Sequence, residues 1–162
     1  MGDFNLRNEL IERAHLCQQI GDFNGAAKLI KRAIAMAREE EPFPYTWYRY
    51  LSRELAENHI KNNNYQSAHS VWKYHLSRVK ELDDENMEYS RSLVQVALFF
   101  SSHHKWRQAK FRFKQALTIQ EKSFNKENPD YVLTMSEYAR ILAWSNNFAA
   151  CVHCFDLARM DT

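Results

Sequence analysis

The sequence predicts an all-α chain built from stacked helix pairs. Three observations carry that prediction. Turn-forming residues are scarce: the 162 residues include three glycines and three prolines, where average usage gives roughly nineteen in all. Large apolar residues are plentiful, with 4 Trp, 8 Tyr and 10 Phe. A frame of small and bulky residues also returns every 41 or 42 positions. A many-stranded sandwich or barrel needs a turn signal about every 8–12 residues, and a disordered chain lacks such apolar content. Neither class fits.

The frame is anchored on an aromatic after a short polar turn. Ile20-Gly21-Asp22-Phe23 is the first copy, and Asn62-Asn63-Asn64-Tyr65 the second. His103-His104-Lys105-Trp106 and Ser145-Asn146-Asn147-Phe148 follow. Three positions after each aromatic stands a small residue: Ala26, Ala68, Ala109, Cys151. Four further on comes a bulky one: Ile30, Trp72, Phe113, Phe155. A second small residue follows as Ala33, Ala116 and Ala158, with His75 in the second copy. Nine residues before each aromatic lies Ala14, Ala56, Ala97 or Ala139. Spacings of three and four place these residues on one helical stripe. Small residues let two axes approach to the lower end of about 8–10 Å, and the bulky residues fill the adjoining holes. One pair cannot bury its stripe alone, so pairs stack.

Eight helices follow in order, near 4–20, 23–40, 46–62, 65–82, 86–103, 106–124, 129–145 and 148–160. They group into four repeats at about 4–44, 45–85, 86–127 and 128–162, as a single domain over 1–162. Glu41-Pro42-Phe43-Pro44 breaks the chain after the second helix. Asp83-Asp84-Glu85-Asn86 offers caps and negative charge to the fifth. Asn128-Pro129-Asp130 supplies an N-cap and a proline at the first helical position of the seventh.

The frame resembles the tetratricopeptide repeat, in the longer 42-residue variety of kinesin light chains. The resemblance rests on Gln115-Ala116-Leu117-Thr118-Ile119-Gln120-Glu121-Lys122, then Asn128-Pro129-Asp130, then Leu133 through Leu142. It extends over nearly the whole chain. Arg13 and Ser52 stand where large apolar residues are usual, and His75 replaces a small one. HEAT-type repeats share the period but lack this small-residue frame. The resemblance implies a right-handed superhelix of four antiparallel pairs, whose first helices line a concave groove that holds a partner peptide or helix. By that implication the chain is a non-catalytic interaction module or adaptor.

The repeat phase then lines up groove positions. One row reads Asn8, Tyr50, Arg91, Leu133; the next Ile11, Arg53, Val94, Ser136; a third His15, Glu57, Leu98, Arg140. Trp144 ends the last first helix, and Glu137 lies beside Arg140. The expected groove therefore comprises Tyr50, Arg53, Glu57, Arg91, Val94, Leu98, Glu137, Arg140 and Trp144. Arginine and aromatics dominate binding hot spots, and arginine grips carboxylates in a bidentate fork. The expected partner segment carries an acidic residue and a bulky apolar one. The competing expectation is that the arginines pair with Glu54, Glu57 and Glu137. Two ligand classes of the family do not carry over. The chaperone-tail clamp needs asparagine and lysine where Ile11, His15 and Glu54 stand, and the paired cargo-binding asparagines are Glu137 and Arg140 here.

Other constellations reduce to structure. Cys151-Val152-His153-Cys154 lacks the second ligand pair of a zinc site, and Cys151 fills a small-residue slot. Glu12 and His15 form one Glu-x-x-His where a di-iron bundle needs two. No catalytic or phosphate-loop motif occurs. No enzyme, metal or cofactor is expected. Lys105, Arg107, Lys110, Arg112 and Lys114 interleave with Trp106, Phe111 and Phe113. Trp106 and Phe113 are frame residues expected in the core, so the cations coat the outside of the sixth helix. The net charge of +2 does not supply a nucleic-acid surface.

Three cysteines in no framework spacing suit a reducing compartment. The stretch Met1–Leu6 lacks the basic and apolar regions of a signal peptide. No apolar run reaches the ~20 residues of a membrane span. A cytoplasmic or nuclear protein is expected. The chain stops within its last helix without a polar capping helix. That raises an alternative: a structural subunit or a piece of a larger scaffold, self-associating through Trp144, Phe148 and Phe155.

Overall fold

The computed structural model describes residues 2–83, 87–123 and 127–145. Seven helices occupy them: α1 (Gly2–Gln19), α2 (Phe23–Arg38), α3 (Tyr45–Lys61), α4 (Tyr65–Leu82), α5 (Met87–Ser102), α6 (Trp106–Ser123) and α7 (Pro129–Trp144). Every end falls within two residues of the sequence expectation. The eighth helix, Phe148, Phe155, Ala158 and the Cys151–Cys154 motif lie outside the described residues, as do Asp84, Glu85 and Asn86. The chain divides into two compact units, Met1–Arg78 and Val79–Thr162.

Three turns repeat one hydrogen-bond pattern. Asp22 N donates to Cys17 O at 2.8 Å and Gly21 N to Gln18 O at 3.1 Å. Asn64 N and Asn63 N repeat this with His59 O and Ile60 O, and Lys105 N and His104 N with Phe100 O and Ser101 O. This is the Schellman closure, which needs a left-handed residue just past the helix. Gly21 (φ 81°), Asn63 (φ 55°) and His104 (φ 57°) fill that place. Glycine takes it without a Cβ clash, and asparagine is the next most tolerant residue.

Helix starts follow the chain's polar residues. Asp22 caps α2 by accepting from Gly25 N at 2.8 Å. Asn128 accepts from Asp130 N at 2.9 Å, with Pro129 opening α7. The Asp83 carboxylate accepts from Tyr89 N at 2.6 Å at the start of α5.

In the N-terminal unit, α1 packs on α2 and α2 on α3. Their core joins Leu10, Ile11 and Ala14 to Ala26, Ile30, Ala33 and Ala37, with Leu51 and Leu55. Each fully buried Leu or Ile contributes about 1.5–3 kcal/mol. In the C-terminal unit, α6 lies against both α5 and α7. Leu93, Ala97, Ala109, Phe113, Ala116, Ala139 and Leu142 are buried there. The small-residue frame is thus core in every described copy.

The departures from that frame also have physical accounts. Arg13 is exposed and pairs with Glu9 one turn earlier, at 3.6 Å. Ser52 and His75 are both buried and meet each other: Ser52 Oγ lies 2.9 Å from His75 Nδ1. Ser52 also donates to Tyr48 O at 2.8 Å. With its hydrogen used there, the Ser52 oxygen accepts from His75 Nδ1. The His75 ring stacks on Tyr48 at 4.8 Å and meets the Trp72 edge at 5.5 Å. Burial, and secondarily the Arg49 charge, push its pKa down to about 3, so His75 is neutral at pH 7.

Candidate functional site

In the C-terminal unit, α5 and α7 together place most of the expected groove residues. On α7, Leu133, Glu137, Arg140 and Trp144 recur at intervals of three and four and form one stripe. Leu133 is 59% exposed and Trp144 71%. Beside them α5 presents Leu98. A cavity of about 450 Å³ opens among Leu98, Arg140, Ile141, Trp144, His104 and Trp106. Its size lies within the roughly 300–1,000 Å³ of ligand sites.

Leu98, Arg140 and Trp144 were read from the repeat phase and do share this cavity. Trp106 and His104 were not expected in it. Trp106, a frame residue expected in the core, is only half-buried. It stands in the cavity wall edge-on to His104, 5.4 Å between centroids. His104 gave one signal in the sequence, its place in the recurring turn. Val94, expected to face the groove, is 8% exposed and belongs to the core. In the same row Ile11 is buried on α1. Arg53 of that row is exposed and Ser136 half-buried.

The arginines have carboxylate partners. Arg91 donates from Nε to Asp130 Oδ2 at 2.9 Å and from a terminal nitrogen to Glu88 Oε1 at 2.7 Å. Burial opposes the Arg91 cation, but these bonds outweigh it and raise its pKa. Arg140 pairs with Glu137 one turn back. In the N-terminal unit, Arg53 lies 3.8 Å from Glu54, whose other oxygen meets His15 at 3.1 Å. Tyr50 stacks on Trp47 at 5.0 Å. Burial, then Glu54, raise its pKa against the pull of Arg53. Glu57 is half-buried. Glu54 and Glu137, both expected as acid partners, are so engaged.

The basic stretch Lys105–Lys114 lies only partly as the sequence suggests, with Lys110 and Arg112 half-buried. Lys105, Arg107 and Lys114 are exposed, while Ala109, Phe113 and Ala116 face the core. Arg112 donates to Gln115 at 2.8 Å and lies over Phe111. Among the described residues no group of three His, Cys, Asp or Glu is placed to hold a metal ion. Among them, too, no helix is long and apolar enough to cross a membrane.

No family model matches the chain, and no curated protein matches it in sequence. Solved structures do match. BtubC (BKLC) from P. vanneervenii superposes with a TM-score of 0.62 at 17% identity over 96% of this chain. A kinesin-light-chain-like protein of P. anserina with nearly identical TPR-like repeats gives 0.60 at 20% identity over 93%. The fold is that of a tetratricopeptide-type helical repeat protein. The apo form of RapI matches this tetratricopeptide fold as well, with a TM-score of 0.61 at 17% identity over 97% of the chain. The chain spans 62% of BtubC, 72% of the P. anserina protein and 56% of RapI. Tetratricopeptide folds are typically protein-interaction scaffolds rather than enzymes.

Proposed function

We propose that this chain is a non-catalytic, cytoplasmic protein-interaction module whose first helices hold a partner segment. The observation that carries the reading is the cavity joining Leu98, Arg140 and Trp144. The partner's bulky apolar side chain packs on Trp144 and Leu98, and its acidic residue takes Arg140. Glu137 holds that guanidinium in the meantime. An exposed ion pair is worth about 0–1 kcal/mol, so an incoming carboxylate displaces Glu137 at little cost. A Trp anchor at an interface is worth about 2 kcal/mol or more.

The test is capture with tagged protein followed by mass spectrometry. Trp144→Ala and Arg140→Glu are each expected to weaken partner recovery about tenfold or more. Far-UV circular dichroism is expected to be unchanged, since both side chains are exposed. Arg53→Glu reports in the same way on the first-helix residues of the N-terminal unit. An unchanged set of captured proteins in all three variants overturns the reading.

A further inference from the structure

A second concavity lies in the N-terminal unit, on a different face of α3 from Tyr50, Arg53 and Glu57. It is a trough of about 430 Å³, floored by α3 and walled by α2 and α4. On the α2 wall stand Lys31, Ile34 and Arg38, spaced to share one face. The two cations are separated by seven residues, about 10.5 Å of helix rise, with Ile34 between them. The opposite wall presents Val71 and Tyr74, and Tyr48 and Ser52 form the floor.

The trough's charge is one-sided. Among the described residues, no aspartate or glutamate lines it. Among the described residues, Lys31 and Arg38 form no ion pair with a carboxylate. Arg38 lies over the Tyr74 ring instead, 5.2 Å from its centroid. The field is felt at His59 in the same trough, where burial and then the Lys31 charge hold the imidazole below its ordinary pKa. Burial, and then Tyr74, push Tyr48 up to about 12 against the pull of Arg38 and Arg78, so its hydroxyl stays protonated. Uncompensated cations around an apolar concavity attract an anionic occupant and select its register. The apolar surface between the cations excludes a compact inorganic anion as the main occupant. A phosphate held at one cation leaves Ile34 and Val71 bare to water.

We propose that this trough docks an acidic segment of a protein partner. Its carboxylates sit at Lys31 and Arg38, and a bulky apolar side chain fills the space over Tyr48, between Ile34 and Val71. This site is independent of the first-helix residues proposed above, and each can fail alone.

The experiment selects peptides from a random displayed library on the immobilised full chain. The strongest is then measured by fluorescence polarisation. Peptides pairing Asp or Glu with Leu or Phe are expected. Their affinity is expected to fall about tenfold or more in Lys31→Glu/Arg38→Glu. The charge-neutral Lys31→Gln/Arg38→Gln is expected to show a smaller loss, and Arg32→Glu, outside the trough, none. Arg140→Glu is expected to leave this binding unchanged, which separates the two sites. The His59 ring resonances are expected to shift on titration. Circular dichroism of each variant confirms that its helices are intact. The proposal is overturned if no peptide is selected, if the selected peptides lack acidic residues, or if binding survives the double charge reversal. It is also overturned if inorganic phosphate alone displaces the peptide fully. A dimer in light scattering that dissociates in the charge-reversed variant would overturn it in favour of a second copy as occupant.

Discussion

Ser52 and Leu93 hold the same place in successive repeats, and so do His75 and Ala116. All four are buried. The first repeat follows the third, with Leu10 and Ala33 in those places, both buried as well. In repeats one and three a large residue stands on the first helix and a small one on the second, all of them buried. In repeat two the sizes are exchanged: a small serine meets a large imidazole, and a hydrogen bond of 2.9 Å joins them. The volume needed at the seam is a property of the pair, not of either position. The exchange also places a titratable ring in the core of one repeat alone among these three.

Three measurements sharpen that contrast. The largest effect is expected from Ser52→Leu alone. It adds volume beside an imidazole that is already large, at about 1–3 kcal/mol. It also strips His75 Nδ1 of its acceptor, another 1–3 kcal/mol or so. A loss of about 3 kcal/mol in urea unfolding is the expected outcome, and a loss below about 1 kcal/mol would show that the seam has slack.

Acidification comes second. Unfolded His75 titrates near 6.5 and folded His75 near 3. Between those values only the unfolded chain takes the proton, so the stability is complete above pH 6.5 and declines as the pH falls. At pH 5 the expected loss from this residue is about 2 kcal/mol. It is read as the difference between the parent chain and one lacking the imidazole, which cancels the other titrating groups. Identical pH profiles for the two would refute the assignment.

The smallest change is expected from the double variant Ser52→Leu/His75→Ala, which installs the arrangement of repeats one and three. Its stability is expected within about 1 kcal/mol of the parent, which requires a favourable coupling of more than about 2 kcal/mol between the substitutions. If the two losses simply add, the exchange of sizes is not what stabilises this seam.

The helices were legible because their signal is local and periodic: four spacings of an alanine-and-aromatic frame set seven helices to within two residues. Ser52 and His75 were visible only as two separate exceptions. Their partnership spans 23 residues and two helices, and no pattern along the chain encodes it. The candidate site divides in the same way. Arg140 with Glu137 and Arg91 with Glu88 are spacings of three on one helix and can be read directly. The bond from Arg91 to Asp130 joins two helices and needs the fold. Val94 was misplaced because the repeat phase gives a direction around a helix but not the depth of the neighbouring seam. The trough is not legible in the sequence for a related reason. Its stripes come from three helices, and each stripe alone is an ordinary mixture of polar and apolar residues.

The three matching turns at Gly21, Asn63 and His104 bear on how the chain finds its fold. Each closes within six residues, so joining two helices there demands little loop-closure entropy. A helical hairpin is then a local event, and chains dominated by such contacts fold on the microsecond-to-millisecond scale. Each turn is a self-contained starting point for folding. The left-handed residue costs least at Gly21 and more at Asn63 and His104. That difference makes the first of the three turns the least costly to close.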